Sequence, residues 1–246
     1  MKAVCKMVFI KTKLFIREIE GFFFTIFFPI IMLLIFGSIY GNKPSDYFGG
    51  FGFVDVSVPA YIGMIIAITG FMSIPISIAS DRERGILKRF RILPGGSMIA
   101  MVSWIIFYYL ITTIGTAGLI ITGKLLYGLR FTGNTLIIFL LYSLSTVAFL
   151  SIGFLLASLM RSARSANAIG MSLLFPMMFF SGAIIPMRSL PASIKHISVY
   201  LPLTYVVDIM QKGWFGGALH SYRIDLFVLS GIVVFSFLIA KLTFRW

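Results

Sequence analysis

Residues 61–94 read YIGMIIAITGFMSIPISIASDRERGILKRFRILP, and this stretch decides the fold. Its first twenty residues contain no charged side chain, whereas seven of the fourteen residues from Asp81 to Pro94 are charged. Twenty residues in helical conformation are about 30 Å long, which is the thickness of the hydrocarbon layer of a bilayer. The pattern therefore predicts a membrane-spanning helix that ends abruptly in a charged, water-exposed segment.

The rest of the chain repeats the apolar pattern. The 246 residues are 59% hydrophobic and 12% charged, with a mean hydropathy of +1.01, which is more apolar than a water-soluble core of this size requires. We therefore expect an all-α integral membrane protein with a single domain, residues 1–246. Runs of about twenty apolar residues predict six transmembrane helices, at 21–40, 61–80, 98–121, 135–160, 166–185 and 226–242.

The net charge of +13 fits a membrane protein once its distribution is considered. If the N-terminus lies inside, 14 of the 21 Lys and Arg residues fall on inner segments, and four lie in the long outer segment 186–223. Membrane proteins retain positive charge on the cytoplasmic side. The distribution therefore predicts a multi-pass protein of the cell membrane with both termini in the cytoplasm, and it explains the basic balance without nucleic acid as a partner.

Residues 1–20 have the pattern of an amphipathic helix that lies in the inner membrane interface. Lys11 and Glu18 interrupt the apolar face of this helix. Two interpretations stay open for them: they reach lipid headgroups or water, or they contact a neighbouring element of the protein. The charges also argue against a cleaved signal peptide. Cys5 is the single cysteine, so no intrachain disulfide is expected.

The outer segments carry little recognisable chemistry. The segment 41–59, rich in Gly and Phe, is expected to be an ordered loop or a short hairpin. Segment 186–223 contains helical pieces too short to cross a bilayer, which predicts short re-entrant or interfacial helices between the fifth and sixth spans. Within it, Asp208 and Lys212 have the i,i+4 spacing of a surface ion pair. A contact between Asp208 and substrate is the alternative.

No catalytic or metal site is predicted. Residues 118–125 match a phosphate-binding loop only as far as Lys124, because Leu125 stands where a hydroxyl must bind magnesium. His196 and His220 are isolated, without carboxylates at ligand spacing. We therefore expect that this chain is not an enzyme and binds no cofactor of its own.

The charged segment resembles a signature of the type-2 ABC export permeases, which are the membrane subunits of ATP-driven exporters. Asp81-Arg82-Glu83-x-Gly85-x-Leu87-Lys88-x-Phe90 followed by Pro94 is similar to E-R-E-x-G-T-L-K-x-L…P, with Asp81, Ile86 and Phe90 as departures. The resemblance covers nearly the whole chain. Further matches follow in family order around the six spans: Arg17-Glu18, Pro29 with Phe36-Gly37, Phe180-Ser181-Gly182 with Pro186 and Leu190-Pro191, and Pro202-Leu203-Thr204-Tyr205.

This resemblance implies roles for particular residues. In such permeases the segment between the second and third spans, here 81–96, forms a coupling helix that docks on the ATPase subunit, and the N-terminal helix packs beside it. The apolar anchor of that docking would be Ile86, Leu87 and Phe90. The residues of the interfacial helix that would make these contacts are Lys11, Arg17 and Glu18. The residues assigned to ATPase coupling are Asp81, Arg82, Glu83, Gly85, Leu87, Lys88 and Phe90.

The resemblance also implies partners. A separate ABC ATPase in two copies would bind the ATP and magnesium, and a second permease chain, expected to be identical, would complete a dimer in the lipid membrane. The substrate pathway would run between the two permeases along their second and fifth spans. Ordinary helix packing is the alternative for its candidate wall residues, which are Phe175, Met177, Met178, Phe179 and Phe180.

An apolar wall of this kind favours export of an amphipathic drug, lipid or peptide over small ions. Two other functions stay open. One is a permease for lipid-linked glycan, and the other is a membrane scaffold or immunity protein that transports nothing.

Overall fold

The computed structural model describes residues 2–92 and 95–243, so Pro94 of the charged segment and Arg245 near the C-terminus lie outside the described residues. The described part is almost entirely helical, and its one β feature is an isolated bridge between Ser45 and Phe51. The α-helices are α1 Lys2–Arg17, α2 Ile19–Phe22, α3 Phe28–Tyr40, α4 Phe53–Ile68, α5 Ile74–Glu83, α6 Ile86–Ile92, α7 Gly96–Tyr127, α8 Thr135–Leu159, α9 Ala163–Phe180, α10 Ala192–Ser198, α11 Pro202–Trp214 and α12 Arg223–Thr243.

Among the described residues, five helical segments are long and apolar enough to cross a membrane. The predicted fifth span, 166–185, corresponds to α9, which has 18 residues but carries the polar Arg164 and Asn167 near its start and is not one of the five. The chain is thus an all-helical, multi-pass membrane protein. The five segments are Phe23–Tyr40, Phe53–Glu83, Gly96–Tyr127, Thr135–Leu159 and His220–Ala240.

Several helix boundaries differ from those predicted from the sequence, and α7 continues to Tyr127, six residues beyond the predicted end at 121. α4 begins at Phe53, so the last part of the segment 41–59 is helical rather than loop. The Asp55 carboxylate accepts a hydrogen bond from the Gly52 amide at 3.1 Å and caps this first turn. α9 ends at Phe180 rather than near Ile185, and Gly182 follows with a left-handed φ of 84° that turns the chain away.

Two π-helical turns occur among the described residues, one in each of the first two spans, and each comes just before a proline. Phe23–Phe27 comes just before Pro29, and Thr69–Ser73 comes just before Pro75. A proline inside a helix removes a backbone donor, and its ring clashes with the carbonyl four residues earlier. In both spans that carbonyl lies within the π turn. The wider turn relieves the clash, so each span continues through this proline.

The segment Phe53–Glu83 is the centre of the bundle, with 94% of its most apolar stretch buried. Its π turn is held between α8 and α9. A Cβ atom added to Gly153 of α8 would lie 2.7 Å from the carbonyl oxygen of Gly70, and one added to Gly170 of α9 would overlap the carbonyl oxygen of Phe71. Because only glycine permits such close approach, these residues fix how the three helices pack.

The central segment also separates two ends of the molecule, since 31 helical residues are about 45 Å long. At one end lie α1, α6 and the turn between α8 and α9. The C-terminal end of α12 joins them, because the Thr243 and Ser158 hydroxyls are 2.7 Å apart. At the other end α11 packs on the start of α4, where the Gln211 side chain donates to the Val56 carbonyl at 3.1 Å. These are called below the α6 end and the α11 end.

Candidate functional site

The candidate coupling element α6 is a separate short helix between two glycine turns. Gly85 has φ of 70° and Gly95 has φ of 68°, a left-handed conformation that L-residues with a Cβ rarely adopt. The Gly85 amide donates to the Arg82 carbonyl at 3.0 Å, which closes the end of α5. A Cβ at either glycine would meet no atom within 4 Å, so both positions require glycine for its backbone freedom. The two turns set α6 apart from the long helices on either side.

The apolar side of α6 packs into this chain. Leu87 is only 1% exposed and belongs to a buried cluster with Ala100 and Trp104 of α7. Phe90 packs partly buried against the same cluster, and Ile86 is half-buried. Leu87 therefore attaches α6 to α7, and a partner protein cannot reach its side chain in this conformation.

The opposite side of this region is open to a partner. Glu83, Lys88 and Arg89 are exposed, and Ile92 is 83% exposed. We call these four residues the outward face. It combines both signs of charge with one apolar side chain, a composition that suits a specific protein interface better than a plain anchor of membrane topology.

Lys11 joins α1 to the end of α5. Its ammonium group lies 2.5 Å from the Asp81 carboxylate, donates to the Ser77 hydroxyl at 3.3 Å, and lies 5.7 Å above the centre of the Trp104 ring. Both charged side chains are nearly buried, at 11% and 13% exposure. Of the two interpretations of Lys11, the contact with a neighbouring element is the one that the structure contains. A nearly buried pair of this kind fixes α1 against the central segment.

Arg82 points into the bundle rather than to the outward face. Its Nη1 donates to the carbonyl oxygens of Ala157 at 2.8 Å and Met160 at 2.6 Å. Ala157 lies in the last turn of α8 and Met160 is the residue that caps it, and at this end of a helix the carbonyls lack intrahelical partners and a cation is favourable. Arg82 thus ties the end of α5 to the end of α8.

Arg17 and Glu18 line a cavity of about 390 Å³ at the α6 end, between α1, the first two spans and the start of α9. Both side chains keep an exposed portion. Burial in the cavity wall raises the pKa of the Glu18 carboxyl, an effect that the nearby Lys11 opposes. Arg84 lines the same cavity. The structure therefore brings the Arg17-Glu18 pair of the N-terminal helix together with the charged segment that begins at Asp81.

The candidate wall residues on α9 do not share one face. Met178 is buried in the main core of this chain, and Met177 and Phe180 are half-buried. Phe175 and Phe179 are 41% and 43% exposed and, being four residues apart, form one outward stripe. Met178 therefore packs within the protomer, whereas the two Phe residues are available to lipid, substrate or a second chain.

An ion pair at the α11 end escaped the sequence analysis. The Asp55 side chain is fully buried and accepts from the Arg130 Nε at 2.9 Å, the Arg130 backbone amide at 2.9 Å and the Asn42 side chain at 2.9 Å. These bonds connect two loops, the one before α4 and the one between α7 and α8, to the start of α4. The available signal was a lone carboxylate next to an apolar run, because such a group must be paired when buried.

A second charged cluster contains the predicted pair of Asp208 and Lys212. The two side chains are 2.6 Å apart, which confirms the i,i+4 contact. Asp225, which is 2% exposed, also approaches Lys212 to 2.8 Å. Burial acts to lower the pKa of Lys212, but the two carboxylates outweigh it and raise that pKa. The cluster joins α11 to the start of α12.

Comparison with known proteins shows which family this chain belongs to. The model of one protein family, described as ABC-2 type transporter, matches residues 4–215, which include all but the first two residues of α1, the outward face and α11. The chain belongs to the ABC-2 type transporter family. The match therefore includes α6 and ends before α12.

Several ABC transporter permeases are similar to this ABC-2 chain. The probable multidrug ABC transporter permease YbhS of Escherichia coli K12 is 22% identical over 181 residues, 72% of this chain and 48% of that protein. The probable doxorubicin resistance ABC transporter permease protein DrrC of Mycobacterium tuberculosis H37Rv is 24% identical over 209 residues, 84% of this chain and 75% of that protein. The aligned part of this chain therefore spans about half the length of YbhS.

Proposed function

We propose that this chain is the membrane-spanning permease of an ABC exporter that moves an amphipathic substrate out of the cytoplasm. It would work with a separate ABC ATPase in two copies and with a second, identical permease. In this proposal the chain hydrolyses no ATP itself, and the ATP and magnesium bind to the ATPase. Membership of the ABC-2 type transporter family supports the proposal, as does similarity to permeases named for multidrug and doxorubicin resistance.

The observation that carries the proposal is the geometry of α6. Two left-handed glycines separate this helix from its neighbours, Leu87 fixes one side to α7, and the outward face presents charges of both signs. A helix that served only to retain positive charge in the cytoplasm would need neither the glycine turns nor Glu83. Such a helix suits docking in a groove of a partner protein.

In this proposal, movement of α6 would spread through the contacts of the same region. Leu87 connects it to α7, Asp81 connects the end of α5 to α1 through Lys11, and Arg82 connects that end to α8. When ATP draws the two ATPases together, each would displace its α6, and these contacts would carry the displacement into the spans. The ATP-bound state would thereby favour an outward-open arrangement of the dimer.

The path of α9 supports a sixth crossing and cytoplasmic termini. Ala163, at its start, lines the cavity beside Arg84 at the α6 end. The segment after its end reaches the α11 end, where the Ser189 and Tyr47 hydroxyls are 2.6 Å apart. α9 therefore runs between the two ends although its start is polar. With this crossing, α1 and Thr243 lie on the same side, and α10 and α11 are short helices on the other.

The proposal is tested by exchanging the charges of the outward face. Glu83→Arg combined with Lys88→Glu leaves the net charge of the protein unchanged but reverses the local pattern. We expect ATP turnover of the reconstituted transporter to fall at least about tenfold, because reversed charges at an interface oppose docking. Purified permease and ATPase in liposomes, with ATP turnover as the readout, provide the measurement.

The matched control is the exchange Lys43→Glu with Asp46→Arg. Both residues are exposed and lie in the loop before α4, at the α11 end. This exchange should leave ATP turnover within about twofold of the native rate, because surface charges away from an interface contribute little. Equal turnover in the two exchanged proteins would mean that the outward face does not dock the ATPase.

A further inference from the structure

The cavity at the α6 end has the composition of a binding site for an amphiphile. Its apolar wall comes from the first two spans, with Phe24, Ile68, Met72 and Ile76. Three serines of the second span, Ser73, Ser77 and Ser80, also line it. The charged side chains that line it are Arg17, Glu18 and Arg84.

The charges in this cavity favour an anion. Lys11 and Asp81 neutralise each other in their ion pair, and Glu18 provides one negative charge against the two guanidinium groups of Arg17 and Arg84. None of the ion pairs found among the described residues involves either arginine. Guanidinium groups bind phosphate through paired N–H donors, so two of them beside hydroxyl groups suit a phosphate ester.

We propose that this cavity binds an amphiphile whose phosphate-bearing headgroup has a net negative charge, taken from the inner leaflet of the membrane. Arg17 and Arg84 bind the phosphate, and the serine hydroxyls bind its remaining oxygens or the adjoining ester. The apolar wall contacts the first carbons of the ligand's acyl chain. The cavity lies within one protomer and is lined by α1 and by Arg84, next to the outward face. The inference deepens the proposed function, on which it rests, by giving a substrate class.

Binding is measured without ATP or ATPase, so that a failure of this inference is distinguishable from a failure of the proposed function. The purified permease is placed in nanodiscs of phosphatidylcholine and titrated with short-chain phosphatidylglycerol, with short-chain phosphatidylcholine as the zwitterionic comparison. We expect the anionic lipid to bind at least about tenfold more tightly, which corresponds to one or two charged hydrogen bonds. Equal affinities would overturn the inference, even if ATP turnover were normal.

Variants of the residues that line the cavity test whether Arg17 and Arg84 bind the anionic lipid. Arg17→Gln with Arg84→Gln should remove the tenfold preference for the anionic lipid, whereas Lys13→Gln with Arg161→Gln should keep it. The control pair removes the same charge from exposed residues at the α6 end that do not line this cavity. A preference lost equally in both pairs would indicate general attraction to the basic surface and would overturn the site.

A gain of affinity excludes misfolding as the cause. Glu18→Gln removes the one negative charge from the cavity wall and should tighten binding of phosphatidylglycerol by about threefold or more, since a like charge near an anion is unfavourable. Unchanged or weaker binding would contradict the assignment.

The source of the phosphate is tested with glycerol phosphate as a soluble competitor. If the apolar wall contributes as proposed, glycerol phosphate should displace the lipid only at concentrations at least about a hundredfold higher, because it buries no chain. Displacement at equal concentration would show that the cavity binds a soluble phosphate ester instead, and the amphiphile would be ruled out.

Discussion

At the scale of single residues, a buried or nearly buried ion pair stabilises each of the two ends of this protein. Asp55 receives hydrogen bonds from Arg130, Asn42 and the Gly52 amide inside the fold, so its loss leaves several donors without an acceptor. We expect Asp55→Ala to lower the free energy of unfolding by about 3 kcal/mol. Unfolding in mixed micelles measures this. Asp46→Ala, which removes an exposed carboxylate from the neighbouring loop, should cost less than about 0.5 kcal/mol.

The pair of Lys11 and Asp81 makes a second prediction at this scale. Because both side chains are nearly buried and touch each other, removal of either one destabilises the contact between α1 and α5. The free energies of unfolding of Lys11→Ala, Asp81→Ala and the double variant should be non-additive by about 1–2 kcal/mol. Additive effects would show that the two residues act independently.

Residue patterns in the sequence identified both residues of this ion pair but not the contact between them. Lys11 stands out because it interrupts an apolar helix face, and Asp81 stands out because it opens a charged segment. Their separation of seventy residues hides the contact, which depends on how α1 packs on α7. Asp55 was missed for a related reason. A carboxylate beside a glycine-rich loop has the same pattern whether it is solvated or buried, and only the position of Arg130 distinguishes the two.

At the scale of elements, α6 depends on its glycine turns. Gly85→Ala has room for the added methyl group but forces an L-residue into a left-handed conformation, which costs about 1 kcal/mol. We expect it to weaken ATPase binding while the long helices remain folded. Gly85→Asn, which tolerates this conformation better, should bind the ATPase nearly as well as the native chain. Affinity of the purified subunits is the measurement, with helical circular dichroism as the check on folding.

Gly153 provides the opposite case at the same scale. Its backbone is helical, but an added Cβ would lie 2.7 Å from the carbonyl oxygen of Gly70 and 3.0 Å from the Cβ of Ile74. Gly153→Ala should therefore lower the free energy of unfolding by about 2 kcal/mol through overpacking, despite the better helix propensity of alanine. An increase in stability would show that α8 and the π turn are not in close contact.

Elements were predicted well where apolar runs are long and poorly where polar residues meet helix ends. The apolar pattern predicted both ends of α8 to within one residue and the start of α7 to within two, but it ended α7 six residues early. It began the second span too late, because Phe53–Pro59 contains Asp55 and a proline. It extended the fifth span too far, because Ser181-Gly182 looks compatible with a membrane helix until its backbone conformation is known.

At the scale of the whole molecule, we expect the chain to cross the membrane six times, with both termini on the cytoplasmic side. Since Cys5 is the single cysteine, a Cys5→Ser background allows clean labelling of introduced cysteines. Lys43→Cys and Arg188→Cys should react with an impermeant maleimide in intact cells. Lys13→Cys and Arg161→Cys should react only after permeabilisation. The reverse pattern at Arg161 would mean that α9 does not cross.

Site-specific photo-crosslinking tests directly whether the outward face docks an ATPase. A benzophenone amino acid is placed at position 88 in living cells that express the ABC ATPase, and in parallel at position 43, at the α11 end. We expect a covalent adduct between permease and ATPase from position 88 and none from position 43. No adduct from position 88, in cells where the two proteins still co-purify, would contradict docking at this face.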